Sequence, residues 1–222
     1  MITIQQVLRP TVFLANQNTN VSVFPVGDVS TAACIDDVTP DEDATYIKHN
    51  VTAPGGPPLI KMAFRVDAPP IRVGSISNVR VTTRHRGTAS GVPQVNNIDS
   101  QVRLGTTFYT GTPDPLSNSS SSISYEERPN DYAVNPATGL AWSWADIDVL
   151  GVGYTGNPQF FPDVWRVTQV WALVTAQVDA AIAVDSLVMK VGESETEIAK
   201  IVSATGAILK TSASDSEVGG AA

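Results

Sequence analysis

The chain has 222 residues, of which 42% are hydrophobic, enough for one sizeable core with a tail or for two small domains. Its 16% charged residues fall well short of the ~25% usual in soluble proteins, and its net charge of −8 argues against general nucleic-acid binding. The single cysteine, Cys34, excludes an intramolecular disulfide. No apolar run approaches the ~20 residues of a spanning helix, so no membrane insertion is expected. The N-terminus has no basic stretch followed by an apolar one, so no export signal is expected, and the Asn-x-Ser/Thr sequons at Asn20, Asn50 and Asn118 read as chance.

Sixteen glycines and 15 prolines punctuate short β-type runs. Residues 12–14 and 21–24 read as strand fragments. The acidic run Asp36, Asp37, Asp41, Glu42 and Asp43 lacks the spacing of a calcium loop and reads as a solvated turn. Residues 45–51 are rich in β-formers. In 59–66, Ile60, Met62, Phe64 and Val66 share one face, with Lys61 and Arg65 on the other. In 79–86, Val79, Val81, Thr83 and His85 alternate with Arg80, Thr82, Arg84 and Arg86. Residues 101–109 read as one further strand, 117–122 as a polar loop and 123–127 as a return strand. Residues 165–175 form the longest β-type run, apolar on both faces as a central covered strand would be. Seven or eight strands with turns between them predict an all-β antiparallel sandwich, jelly-roll-like, over residues 1–176.

One stretch breaks the pattern. Asn135-Pro136 and Thr138-Gly139 mark a turn. Ser143 precedes Asp146 by three residues, the spacing of a capping box, so a short helix is expected with Asp146 and Asp148 near its positive end and Gly151 and Gly153 closing the turn. Trp142 and Trp144 flank the cap and are expected to plug one end of the sandwich. The alternative is a surface pair that binds a sugar or a partner.

Residues 177–222 differ again. They hold seven acidic residues, three lysines and no aromatic residue. Ile198, Ile201, Val202, Ile208 and Leu209 suit either a helix or an extended arm, and 212–222 has the composition of a tail. This segment is expected to be an assembly arm that crosses onto another subunit.

Recognisable catalytic chemistry is missing. His49 and His85 sit in expected strands without metal-ligand spacing, and Arg84 and Arg86 would disfavour protonation of His85. Gly151-Val152-Gly153-Tyr154-Thr155-Gly156 matches a dinucleotide fingerprint, but Asn157-Pro158 follows where a helix should begin. Glu126–Glu127 would point to opposite faces of a strand, and Asp146–Asp148 are better used at the helix. No cofactor, no metal and no enzymatic activity are expected.

Five stretches occur in a recognisable order: Leu8-Arg9-Pro10, Asp36-Asp37, Asp43-Ala44-Thr45-Tyr46-Ile47, the run from Asn135 to Ser143, and Arg166-Val167-Thr168-Gln169-Val170-Trp171. This set resembles a group of tailed-bacteriophage virion proteins of about this size, over roughly residues 8–175. The resemblance implies a β-sandwich without catalytic residues that serves as a capsid decoration or cement protein, a neck or tail accessory, or a fibre-like part. It would be made in the host cytoplasm and packed against other virion proteins and copies of itself. Residues 61–103 carry seven basic residues and two acidic ones, so Arg80, Arg84 and Arg86 are a candidate face toward an acidic neighbour or, equally, a set of solvated charges. The alternative function is a glycan-binding sandwich that recognises the host surface, with Trp142, Trp144, Tyr154, Phe160 and Phe161 as its stacking platform.

Overall fold

The computed structural model describes residues 1–16, 21–24, 31–39, 44–50, 60–88, 97–111, 125–157 and 164–179. The chain divides into two units, Thr3–Gln177 and Met1–Ile2 with Val178–Ala222. The first holds the sandwich. In chain order the described elements are β1 (Ile2–Leu8), β2 (Pro10–Asn16), β3 (Val21–Phe24), β4 (Tyr46–Asn50), β5 (Ile60–Val66), β6 (Ser75–Thr88), β7 (Asn97–Leu104), β8 (Thr107–Thr110), β9 (Glu126–Tyr132), α1 (Trp144–Asp148), β10 (Gly151–Asn157) and β11 (Val164–Val178).

They form an all-β antiparallel sandwich of two sheets. One sheet has the order β3-β4-β11-β6-β9, with β1 also on β11, and the other has the order β2-β5-β10-β7-β8. The alternation explains which residues fill the space between the sheets. Ile60, Met62, Phe64 and Val66 of β5 are buried, as are Val79, Val81, Thr83 and His85 of β6. Val170, Ala172 and Val174 of β11 complete the core from its central strand. On the other face of β11, Trp171 and Leu173 are only half-buried.

Two glycines show why the sheets have this form. Gly105 has φ 61° and turns β7 into β8, so the expected single strand over 101–109 is a hairpin with Leu104 opposite Thr107. Gly153 lies in the middle of β10, where an added Cβ would stand 1.8 Å from the Met62 carbonyl oxygen. Gly151 and Gly153 therefore do not close a turn; both are strand residues facing Arg65 and Ala63 of β5. The fingerprint-like glycine pattern lies along this strand.

The capping box forms as expected. Ser143 Oγ accepts from the Asp146 N–H (3.2 Å), and Asp146 Oδ2 accepts from the Ser143 N–H (2.8 Å). Burial raises the Asp146 carboxyl, but the hydrogen bonds from Ser143 and Asn135 outweigh it and hold the group below the usual carboxylate range. Asp148 is not near the positive end of the dipole. It is the last residue of α1, and it pairs with Arg72 at 2.7 Å.

The expected return strand over 123–127 is displaced. Strand β9 begins at Glu126 and runs through Pro129 to Tyr132. Proline is tolerated there because β9 is a sheet edge, paired among the described strands with β6 alone.

Candidate functional site

Four of the five ordered stretches meet in space. Arg9 is the corner residue between β1 in one sheet and β2 in the other. Its N–H donates to Asp67 Oδ1 (3.0 Å), and its carbonyl accepts from the Asp67 N–H (2.9 Å). Its guanidinium lies 5.4 Å from the ring centroid of Trp171 on β11. Asp36 and Asp37 face the same guanidinium, together with Asp67. Burial lowers the Arg9 pKa against the pull of these three carboxylates. Burial, and then the neighbouring Asp37, raise the Asp36 carboxyl above its ordinary value.

The segment carrying Asp36 and Asp37 is anchored by its own apolar residues. Ala32, Cys34 and Ile35 are buried in the core. Strand β11 shifts register between Val167 and Gln169, and just beyond this irregularity the Val170 N–H donates to the Ile35 carbonyl (3.0 Å). Gln169 Nε2 donates to the Asp37 carbonyl (2.7 Å), and Thr45 Oγ1 donates to Asp37 Oδ2 (3.1 Å). Next to Thr45, the Tyr46 ring lies under the Arg166 guanidinium at 4.5 Å. Across the ladder, Lys48, Arg166 and Arg86 occupy one row of β4, β11 and β6.

The result is a partly exposed layer of guanidinium groups on aromatic rings, braced by two aspartates. It is suited to recognition by charge and shape. Among the described residues, no group of three His, Cys, Asp or Glu could hold a metal ion. The fifth stretch lies apart and makes a turn. Asn135 is buried, its carbonyl accepts from the Gly139 N–H (2.8 Å), and its N–H donates to the Leu140 carbonyl (2.8 Å).

The residues singled out from the sequence fall in different places. Trp142 is 4% exposed, belongs to the core, and donates from Nε1 to the Tyr132 carbonyl (2.8 Å). Trp144 is half-buried against the core and donates to the Gly74 carbonyl (3.2 Å). Tyr154 is fully buried: its hydroxyl lies 2.6 Å from His49 Nε2 and donates to Met62 Sδ (3.0 Å). Trp142 and Tyr154 therefore cannot belong to a surface stacking platform, because both rings lie in the core. Phe160 and Phe161 lie outside the described residues, as do Ile198, Ile201, Val202, Ile208 and Leu209.

The expected basic face is largely answered from within the sheet. Strand β9 sets Asp131 opposite Arg80 and Glu127 opposite Arg84. Arg80 binds Asp131 through two hydrogen bonds (2.9 and 2.8 Å), which raise the Arg80 pKa and lower that of Asp131. Arg84 lies 3.5 Å from Glu127, and Arg84 and Arg86 both lie over the Tyr125 ring. His85 is depressed to about 3, first by burial and then by Arg128, so the flanking arginines are not the cause expected from sequence.

No protein family model matches the chain, and no curated protein does. Solved structures offer distant likenesses. One is the carbohydrate-binding module TmCBM61 in complex with β-1,4-galactotriose, at 10% identity and a TM-score of 0.35, covering 76% of this chain and 86% of that one. A second is a cyclase from Fischerella sp. TAU in complex with 4-(1H-indol-3-yl)butan-2-one, at 10% identity and a TM-score of 0.40, covering 79% and 76%. A third is the Stig cyclase FisC from the same source, at 12% identity and a TM-score of 0.39, covering 79% and 85%. At such scores none of them carries an argument about what this chain binds or does. They do correct one expectation: similar chains include enzymes, so missing motifs alone do not make this chain a non-enzyme.

Proposed function

We propose that the chain is a structural component of a tailed-bacteriophage particle, a capsid decoration or cement protein or a neck or tail accessory, that packs against other virion proteins and copies of itself. The ordered stretches that carry this resemblance are far apart in sequence, and four of them converge on Arg9, Asp37, Tyr46 and Trp171. That convergence is the observation on which the reading rests: the resemblance concerns one braced corner of the sandwich and not scattered short matches. Residues 177–222 would serve as the arm that reaches a neighbouring subunit.

The test is immuno-electron microscopy of purified particles with an antibody to this chain. Labelling at a fixed position on the particle is expected. Absence of the chain from particles would overturn the reading. Selective binding of the purified chain to host glycans would favour the host-surface alternative.

A further inference from the structure

The two ends of the edge strand β9 are held in place differently. Over residues 130–132 the bonds run into the interior. Asn130 Nδ2 donates to the Ser100 carbonyl, the Tyr132 hydroxyl donates to the Tyr109 carbonyl (2.9 Å), and the Tyr132 carbonyl accepts from Trp142 Nε1 (2.8 Å). Asp131 adds its two hydrogen bonds from Arg80. Ser100 Oγ donates to the Arg128 carbonyl, and Pro129, which has no N–H, follows. Over residues 125–127 the side-chain contacts face solvent. Glu127, with its side chain 52% exposed, lies 3.5 Å from Arg84. The ion pair of Glu126 is with Arg128 of its own strand (2.6 Å), and the Tyr125 ring lies under Arg84 and Arg86. Exposed pairs of this kind add little to stability.

Beneath the weakly held end lies His85, opposite Glu126 in the ladder and 4% exposed. Its Nδ1 is buried without a partner among the described residues. On its own face β9 brings Glu126 and Arg128, and β11 brings Val167. Across the core, β7 and β10 bring Ile98, Ser100 and Tyr154, and burial raises the Tyr154 hydroxyl. Arg84, Arg86 and Glu127 point to the outer face. We propose that residues 125–127 form a latch over His85 that acid releases: as pH falls below neutrality this end of β9 swings out, His85 takes a proton from solvent, and residues 130–132 stay in place. Burial and then Arg128 hold the covered His85 at about 3, whereas a solvated histidine titrates near 6.5. The latch is therefore most firmly closed above pH 6.5, and the open form gains about tenfold per pH unit from there down toward 3. Opening bares the edge of β6 at Arg84 and His85 and turns a neutral position on it positive. The device rests on neither the particle reading nor the glycan one.

The experiment is amide-resolved hydrogen exchange of the full chain from pH 7.5 to pH 5, corrected for the intrinsic rate of each amide. Amides of residues 84–86 and 126–127 should exchange faster than those of β5 and of residues 131–132 at every pH, as a local opening requires. Their opening should rise ~30-fold over this range and be insensitive to dilute urea, because little surface is exposed. Amides of residues 126–127 that share the protection and urea dependence of β5 would overturn the latch, since that end would then open only with the whole fold. A corrected rate without pH dependence would overturn it too. His85→Gln should flatten the rise, and a rise that persists in a folded variant would remove the histidine from the device. In the wild type, the His85 ring resonances should keep their neutral positions down to pH 5. A titration near pH 6.5 while residues 126–127 stay protected would show that His85 protonates beneath a closed strand, and would also overturn the proposal.

Discussion

Nε2 of His49 on β4 lies 2.6 Å from the hydroxyl of Tyr154 on β10, so one polar contact joins the two sheets through the middle of the core. Tyr154 donates to Met62 Sδ, which leaves the histidine as the donor to the tyrosine oxygen and its Nδ1 as a buried acceptor without a partner among the described residues. Burial holds His49 at about 3, and His85, also buried, is held at about 3 by burial and Arg128. In the unfolded chain both protonate near pH 6.5. Between these values the unfolded chain binds more protons, so stability must fall as pH falls through the window. Each histidine should remove up to ~1.4 kcal/mol per pH unit below pH 6.5. Urea unfolding at pH 7, 5 and 4 measures the slope. Ring resonances of His49 that titrate near pH 6 in the folded protein would contradict it.

Tyr154→Phe keeps the ring and removes the hydroxyl. The His49 N–H then faces no acceptor in the core, and the variant should lose ~1–3 kcal/mol in urea unfolding at pH 7. A neutral result would mean that the contact contributes nothing to stability.

Trp142 and Trp144, adjacent in the same turn, should behave differently. Trp142→Ala empties a core position and should cost ~3–5 kcal/mol, enough to unfold a domain of ordinary stability. Trp144→Ala, at a half-buried site, should lower the melting temperature less. A Trp142→Ala chain with the wild-type melting temperature but lost binding to cells or glycans would reverse the assignment of this ring to the core.

Gly153 and Gly105 make a second contrast. Gly153→Ala drives a methyl group into the Met62 carbonyl, where neither backbone can give way without separating β5 from β10, so no folded protein should be recovered. Gly105→Ala meets open space and only a left-handed backbone, and should cost ~1–2 kcal/mol with the fold intact. Circular dichroism and yield of soluble protein distinguish the two outcomes.

The legible parts of this fold were those written in local periodicity. The alternation in β5 and β6 marked the core faces, and Ser143 with Asp146 marked the helix start. The hairpin at Gly105 was hidden because Gly-Thr is flanked by β-formers without the Asn-Gly signal. The extent of β9 beyond Glu127 was hidden because Pro129 and four charged residues argue against a strand everywhere except at an edge. Sequence alone left Arg80, Arg84 and Arg86 facing either an acidic neighbour or solvent, because no local pattern marks the β6–β9 pairing that sets Asp131 and Glu127 opposite Arg80 and Arg84. The corner around Arg9 could not be read locally at all. Gln169 and Asp37 are 132 positions apart, and only the irregularity in β11 brings them together.

Strand β11 is the last strand among the described residues and the middle of its sheet. A ribosome delivers it after every neighbour it joins, including β1, whose Thr3 bonds Gln177 across 174 positions. Until then β4, β6 and β1 have nothing to hold them in one sheet, and the apolar face of β6 has no completed partner layer. The six-stranded sheet therefore forms by insertion of a final strand, after a long loop-closure cost has been met, and not by extension from an early hairpin. Before that strand arrives, β4, β6 and β1 present open edges, the situation in which mispairing between molecules competes with folding. A chain ended before β11 is complete does not make a smaller sandwich; it leaves one sheet cut through its centre.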